Sequence, residues 1–390
     1  MARLLVLFVT AFVDTVGAAL VVPILPYYAT RYGATASMVG MLVAAFSVAQ
    51  LVSAPGWGRM SDRWGRRPAI LAGLVIAAAA YVVFAFARSV PLLLVSRLVQ
   101  GLGGGTIGVV QAYVADASPP DKRTRALGWL TAVTSLGWLS GSALGSLLIS
   151  LGGERAPGLF TAALSLAVAA FSWRFLAESR LMRQSGAARA VPERPRTGAE
   201  AIRHVLSRWR EPAPRLIWTY SIGIGAFYGT AAVMPLLVQE RLGIDEHSIG
   251  YVVMYFAGMG VVVRAGVLGK MVDWLGEIRL ARLGTVLLGT GLIVAAVGRG
   301  YPVLFTSFTL MPLGTAFLFP SVTGLLSKVV AGHERGLFLG VQQTFGGVAR
   351  VVFPIGAGAM MDVLGKGTPF AVAGVIVLLM VPLLEVRGDE

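Results

Sequence analysis

The second half of this chain repeats the apolar pattern of the first at an offset of 211 to 212 residues, down to single glycines and charges. Gly17 and Pro23, inside the first apolar run, return as Gly229 and Pro235. Gly58, Asp62 and Gly65 return as Gly269, Asp273 and Gly276, and Arg123 and Gly128 return as Arg335 and Gly340. Each copy contains six apolar runs. A spanning helix needs about 20 mostly apolar residues, because each adds about 1.5 Å across a roughly 30 Å hydrocarbon core. The expected fold class is therefore an all-α membrane protein with twelve transmembrane helices in two pseudo-symmetric six-helix bundles. Residues 1–177 would form the N-terminal bundle, 178–215 a cytoplasmic linker and 216–390 the C-terminal bundle.

Composition agrees. At 56% hydrophobic and 13% charged residues, the chain is too apolar for one or two soluble domains of its length. The first run is longer than a typical signal-peptide core and lacks a small-residue cleavage site before the next, so it is expected to be retained.

The net charge of +14 raises the question of a nucleic-acid partner, and the placement of the basic residues answers it. With the N-terminus on the cytoplasmic side, 23 of the 33 Lys and Arg fall on that side. Only six fall in the opposite loops, and Arg97, Arg174, Arg264 and Arg350 fall within spans. This is the positive-inside bias of an integral membrane protein with both termini cytoplasmic, and no nucleic-acid partner is expected. Within the linker, Ile202, Val205, Leu206 and Trp209 recur at helical spacing among Arg203, Arg208 and Arg210. Two readings fit: a basic amphipathic helix on the inner leaflet, or a solvated linker helix.

Several chemistries are excluded. The chain has no cysteine, which removes disulfides, thiolate metal sites and cysteine catalysis. Gly103, Gly105 and Gly108 form a nucleotide-type spacing, but no strand precedes them and they lie in an apolar span. No phosphate-binding loop with a following Lys-Ser/Thr occurs, and no nucleophile, base and orienting group are recognisable together, so neither an enzyme nor a cofactor or metal is expected.

The loop between spans 2 and 3 reads Gly58-Arg59-Met60-Ser61-Asp62-Arg63-Trp64-Gly65-Arg66-Arg67-Pro68. It is similar to the loop signature of the major facilitator superfamily, and the likeness extends over essentially the whole chain. Gly17, Pro23 and Pro26 in span 1 resemble the drug/proton antiporter branch. Arg97, Gln100, Gly101 and Gly103 stand at the spacing of that superfamily's buried-arginine motif. Gly128, Gly137, Gly141, Ser142 and Gly145 resemble the glycine-rich antiporter motif of helix 5, with Ser142 where that motif carries Pro; the repeat-equivalent Pro354 is present.

The resemblance implies proton-coupled export of a small amphipathic molecule or drug by alternating access, from a bacterial-type inner membrane. Small-molecule substrate, protons and membrane lipids are the implied partners of a monomer. Uptake or facilitated transport of an organic anion is the alternative, and a transport-dead membrane receptor is the alternative from another class. The resemblance also implies a latch of Gly58, Asp62, Arg63, Gly65, Arg66, Arg67 and Asp116, with Asp62 facing the start of helix 11 near Gly336 in the outward-open state. A helix N-terminus attracts a carboxylate by about 0.3 to 1 kcal/mol, so such a contact can break without unfolding.

Asp14 lies ten residues into span 1, roughly 15 Å from the inner face, and is the deepest acid in the sequence. Placing a carboxylate there costs at least about 2.5 kcal/mol, so it is expected to be paired, cavity-facing or neutral. Proton coupling and a structural hydrogen bond or salt bridge both fit. Arg97 enters span 4 from the other face to within roughly 6 Å of that depth, near enough for the pair to meet and for Arg97 to tune the proton on Asp14. Arg264 and Arg350 place two more cations within the second bundle, favouring an anionic or zwitterionic substrate if they face the cavity, or bonding backbone carbonyls if they do not. Tyr220, Phe227, Tyr228, Gln342 and Gln343 are further cavity candidates. Gly101, Gly105, Gly137, Gly141 and Gly145 are expected to pack helices closely, because small faces let backbones approach. His204, His247 and His333 fall in or beside loops and are expected to be solvated.

Overall fold

The computed structural model describes residues 2–119, 122–176, 178 and 197–384. Residues 179–196 of the expected linker lie outside them. The described residues are helical with no strand. Helices α1 (Ala2–Val21) and α2 (Leu25–Arg31) form the first span, interrupted where Pro23 has no N–H to continue the ladder. They are followed by α3 (Ala36–Trp64), α4 (Arg66–Ala85), α5 (Val90–Gly104), α6 (Ile107–Asp116), α7 (Arg123–Gly152) and α8 (Ala156–Phe175). Span 4 is thus two helices, α5 and α6, meeting at Gly105 and Thr106.

The second half comprises α9 (Gly198–Ser207), α10 (Pro212–Leu242), α11 (Ile249–Val262), a π-helical turn (Val263–Val267), α12 (Leu268–Val297), α13 (Tyr301–Val329), α14 (Arg335–Leu364) and α15 (Thr368–Leu379). Among the described residues, ten stretches are long and apolar enough to cross a membrane. One of them, Ile249–Val297, holds two of the expected spans; Gly276, at φ 75° and ψ 163°, breaks the path between them. The twelfth span is the shorter apolar helix Thr368–Leu384.

By proximity the chain divides into two compact units, Met1–Ala188 with Ile244–Ala257, and Arg189–Gly243 with Gly258–Glu390. In the first unit α1 packs on α7 and α8, α3 on α5, and α4 on α5 and α8. Its core includes Leu7, Ile70, Tyr113 and Val114, each at most 1% exposed. The seam between α1 and α7 is made by three glycines spaced four apart. A Cβ would stand 2.9 Å from Thr15 Cβ at Gly137, 2.5 Å from the Val16 carbonyl oxygen at Gly141, and 2.6 Å from the Leu20 carbonyl oxygen at Gly145. Gly101 meets α3 in the same way, 2.3 Å from the Phe46 carbonyl oxygen, and Gly105 meets Trp57. In the second unit α10 packs on α14 and α13, and α12 on α13 and α15.

The linker helix α9 starts with a capping box, Thr197 Oγ1 accepting from Glu200 N and Glu200 Oε2 accepting from Thr197 N. It is amphipathic, but its apolar face is covered by protein. Ala201 and Val205 are fully buried, and the helix lies against α10 and α14. Leu206 and Trp209 remain exposed.

Candidate functional site

A cavity of about 730 Å³ lies within the first unit, bounded by α1, α4, α6 and α7. Its lining includes Thr10, Asp14, Gln111, Thr134, Ser135 and Trp138, with Asp14 as the one ionisable side chain among the described residues. Asp14 makes no ion pair or hydrogen bond among the described residues. The hydroxyls beside it are largely occupied by their own helices, Thr10 bonding the Val6 carbonyl at 2.8 Å and Thr15 the Ala11 carbonyl at 2.7 Å.

Arg97 is 2% exposed and does not pair with Asp14. Its Cζ lies 5.6 Å from the centroid of Phe84, and Nε and Nη2 have no hydrogen-bond partner. A side chain that carries no signal in the sequence stands near both charges. Tyr81 on α4 is 1% exposed and within electrostatic reach of both charges. Its hydroxyl accepts from Gln100 Nε2 at 2.7 Å, and would stand 2.8 Å from a Cβ on Gly17, one turn along α1 from Asp14. The phenol thus lies against the turn of α1 that follows Asp14 and is bonded to Gln100, one turn from Arg97 on α5. Tyr81 sits in a run of alanines and apolar residues, and nothing in its spacing marks it.

The loop signature folds into a charged turn. Gly65 ends α3 at φ 113°, a region that favours glycine, with its N–H bonded to the Ser61 carbonyl at 3.0 Å. Arg66 Nη1 lies 3.3 Å from Asp62 Oδ1, and Arg66 Nε donates to Asp116 Oδ2 at 3.2 Å, so one guanidinium joins the three groups. Arg67 donates to the Trp173 carbonyl. Gly58 and Arg63 lie on the last turns of α3, Arg63 exposed. A third acid completes the turn: the Glu178 carboxylate accepts from Arg66 N at 2.9 Å and Arg67 N at 3.3 Å, satisfying free N–H groups at the start of α4. Glu178 follows span 6, far along the chain, so its place in the turn has no mark in the sequence.

At the opposite end of the first unit, Arg31 pairs with both Glu154 and Glu246. Around it, Tyr27 donates to the Ile244 carbonyl at 2.9 Å, Tyr28 to the Glu154 carbonyl at 2.6 Å, and Ser146 to the Glu246 carbonyl at 2.8 Å. The Gly250 N–H donates to Ser146 Oγ at 2.9 Å. His247 is held there beside Ser150 at 3.3 Å, and His204 pairs with Glu211 at 2.9 Å, so neither is simply solvated.

In the second unit the cavity candidates separate into two groups. Tyr220 accepts from Gln343 Nε2 at 3.4 Å, and Gln342, fully buried, accepts from Thr323 at 3.3 Å. Eight residues further along α10, about 12 Å away along the axis, Tyr228 stacks edge-on against Phe227 and lies under Arg350, whose Cζ is 4.9 Å from the ring centroid. Arg264, on the π-helical turn, is within electrostatic reach of that tyrosine. The loop turn is repeated here with its charges exchanged. Glu277 and Lys328, at the repeat offset from Arg66 and Asp116, form an ion pair at 2.8 Å.

The family model that matches this chain is the Major Facilitator Superfamily, over residues 7–298 and 265–388. The chain is 27% identical over 402 residues to Multidrug resistance protein 2 of Bacillus subtilis (strain 168), covering 99% of this chain and 95% of that protein. It is 24% identical over 389 residues to the quinolone resistance protein NorA of Staphylococcus aureus (strain MSSA476), covering 97% and 96%. Among solved structures it resembles the human organic anion transporter MFSD10 (TM-score 0.71, 23% identity, 98% of this chain and 99% of that one). It also resembles the nucleoside transporter NupG (TM-score 0.79, 13% identity, 100% of both chains). With its helices, its repeated charged turn and this match along nearly its whole length, the chain belongs to the Major Facilitator Superfamily: it is an integral membrane transporter and not an enzyme.

Proposed function

We propose that this protein is a proton-coupled exporter of small amphipathic molecules, working by alternating access of its two halves in a bacterial-type inner membrane. The observation that carries the reading is Asp14, an acid in a spanning helix that faces a cavity and is held by no ion pair among the described residues. A carboxylate in that position is costly, and gaining a proton relieves the cost. Arg97, buried in the same unit and not paired with the acid, biases that proton through its charge without neutralising the acid outright. The names of the Bacillus and Staphylococcus relatives support a drug-like substrate.

The excess of basic residues at the Arg66 end supports a cytoplasmic location for that end and for both termini. The turn of Asp62, Arg66 and Asp116 then acts as the cytoplasmic latch, with Gly58, Gly65, Arg63 and Arg67 shaping it. Such a latch shifts the equilibrium only through contacts that differ between the two open states.

The test is transport of ethidium and of a quinolone in proteoliposomes under an imposed pH gradient. Asp14→Asn keeps the shape of the side chain but cannot exchange a proton. It is expected to abolish uphill flux while the protein still folds and purifies. Uphill transport at the wild-type rate would remove Asp14 from the mechanism.

A further inference from the structure

The second unit holds two arginines within its spans that no described acid neutralises. Neither Arg264 nor Arg350 forms an ion pair among the described residues. Two acids of that unit are engaged at helix ends, Glu240 with Lys366 and Glu277 with Lys328. An unpaired cation in a spanning helix costs at least about 2.5 kcal/mol unless it faces water or binds an anion.

Arg350 lies on Tyr228, and Arg264 is within electrostatic reach of the same side chain. Arg350 lies over the face of Tyr228, partly buried, with Nε buried and lacking a hydrogen-bond partner. Arg264 is accessible and stands on the π-helical turn Val263–Val267, a geometry that recurs at functional sites because the wider turn re-aims its side chains. Its guanidinium folds back over Gly260, where a Cβ would stand 2.9 Å from Nη1, so the glycine clears its path. Tyr228 lies within electrostatic reach of the Arg264 guanidinium. The surroundings are aromatic: Phe227 is edge-on to Tyr228 at 5.4 Å, and Phe353 fills the space left by Gly225 and Gly229.

We infer that Arg264, Arg350 and the Tyr228 hydroxyl form a subsite for the carboxylate of an amphipathic, aromatic substrate. A guanidinium presents a planar pair of N–H donors matched to the two carboxylate oxygens, and two of them with a phenolic O–H supply more donors than one carboxylate needs. The cation over the Tyr228 face is held in place by the ring before any ligand arrives. This names a substrate class for the transport reading and rests on it only for what happens after binding.

The experiment measures equilibrium binding of 2-naphthoate, its neutral amide 2-naphthamide, and ethidium to the purified full-length protein in nanodiscs without a gradient. Saturable 2-naphthoate binding is expected in the wild type. It should weaken at least about tenfold in both Arg350→Gln and Arg264→Gln, with 2-naphthamide changed less than about twofold. Arg350→Lys should fall between, because an ammonium is a point charge without the fork. Retained 2-naphthamide binding shows that the variants are folded. Absence of saturable 2-naphthoate binding in the wild type, or equal losses for acid and amide, would overturn the subsite. Flux in proteoliposomes is read separately. Arginine-dependent naphthoate binding with no gradient-driven flux of any probe keeps the subsite and sinks the transport reading, whereas ethidium flux with naphthoate affinity unaltered by both Gln variants does the reverse.

Discussion

Tyr81 shows how much one buried hydroxyl decides. It accepts the Gln100 amide at 2.7 Å, while Gln100 Oε1 already lacks a partner. Removing the hydroxyl leaves a buried amide N–H unpaired, which costs about 1 to 3 kcal/mol, whereas replacing both partners by apolar groups is close to neutral. Tyr81→Phe is therefore expected to lower stability by about that amount, and adding Gln100→Leu should recover most of it; denaturant unfolding in detergent measures both. A neutral Tyr81→Phe would mean that the hydroxyl holds nothing in place. Asp14 and Arg97 are visible in the sequence because a charge in an apolar run stands out. Tyr81 is not, because a tyrosine among alanines looks like core.

Helix seams carry the next level. The backbone of α1 runs so close to Gly141 that any side chain meets the Val16 carbonyl oxygen at 2.5 Å, and backbone cannot swing aside as a side chain can. Overpacking of this kind costs about 1 to 3 kcal/mol, so Gly141→Ala should lower the thermal unfolding temperature. Gly128, on the same helix, has open space for 4 Å around the position a Cβ would take, and an ordinary helical backbone. Gly128→Ala should be neutral or stabilising by up to about 1 kcal/mol, the helical advantage of alanine. Equal effects from the two substitutions would contradict close packing at the α1 and α7 seam. The four-residue spacing of these glycines is legible in the sequence, but which helix each one meets is not. Gly128 shares the sequence repeat with Gly340, yet neither has a neighbour near its Cβ position.

Across the whole molecule the duplication appears in geometry as well as in letters. Gly65 and Gly276 both adopt positive φ, with ψ 162° and 163°, at the same place in their repeats. Beside them the ion pair is kept while its polarity is exchanged, Arg66 with Asp116 in one unit and Glu277 with Lys328 in the other. Lys328 is exposed while Glu277 is partly buried, and a pair with one end in solvent contributes little to stability, about 1 kcal/mol or less, so its effect should be read in transport rather than in unfolding. Glu277→Lys, which sets like charges together, is expected to depress ethidium flux. The double exchange Glu277→Lys with Lys328→Glu, copying the polarity of the first unit, should restore it. Flux in the single variant equal to wild type would leave the pair without a part in the cycle.

Sequence alone determined the fold class and the number of spans, because apolar length and charge placement are properties of the chain in a bilayer, independent of which helix touches which. It also determined the loop turn, whose glycine and charges act over a few neighbouring residues. The tertiary structure decided what depends on contacts between distant segments. It bonded Tyr81 to Gln100 within electrostatic reach of Asp14 and Arg97, brought Glu178 to the start of α4 from more than a hundred residues away, and gathered Glu154 and Glu246 around Arg31. It turned the linker helix onto α10 and α14, laid Arg350 over Tyr228, and set Arg264 within electrostatic reach of the same tyrosine. Hydrophobic length is written into each span by itself, whereas the partner of a buried polar group is fixed only when close packing brings two helices together.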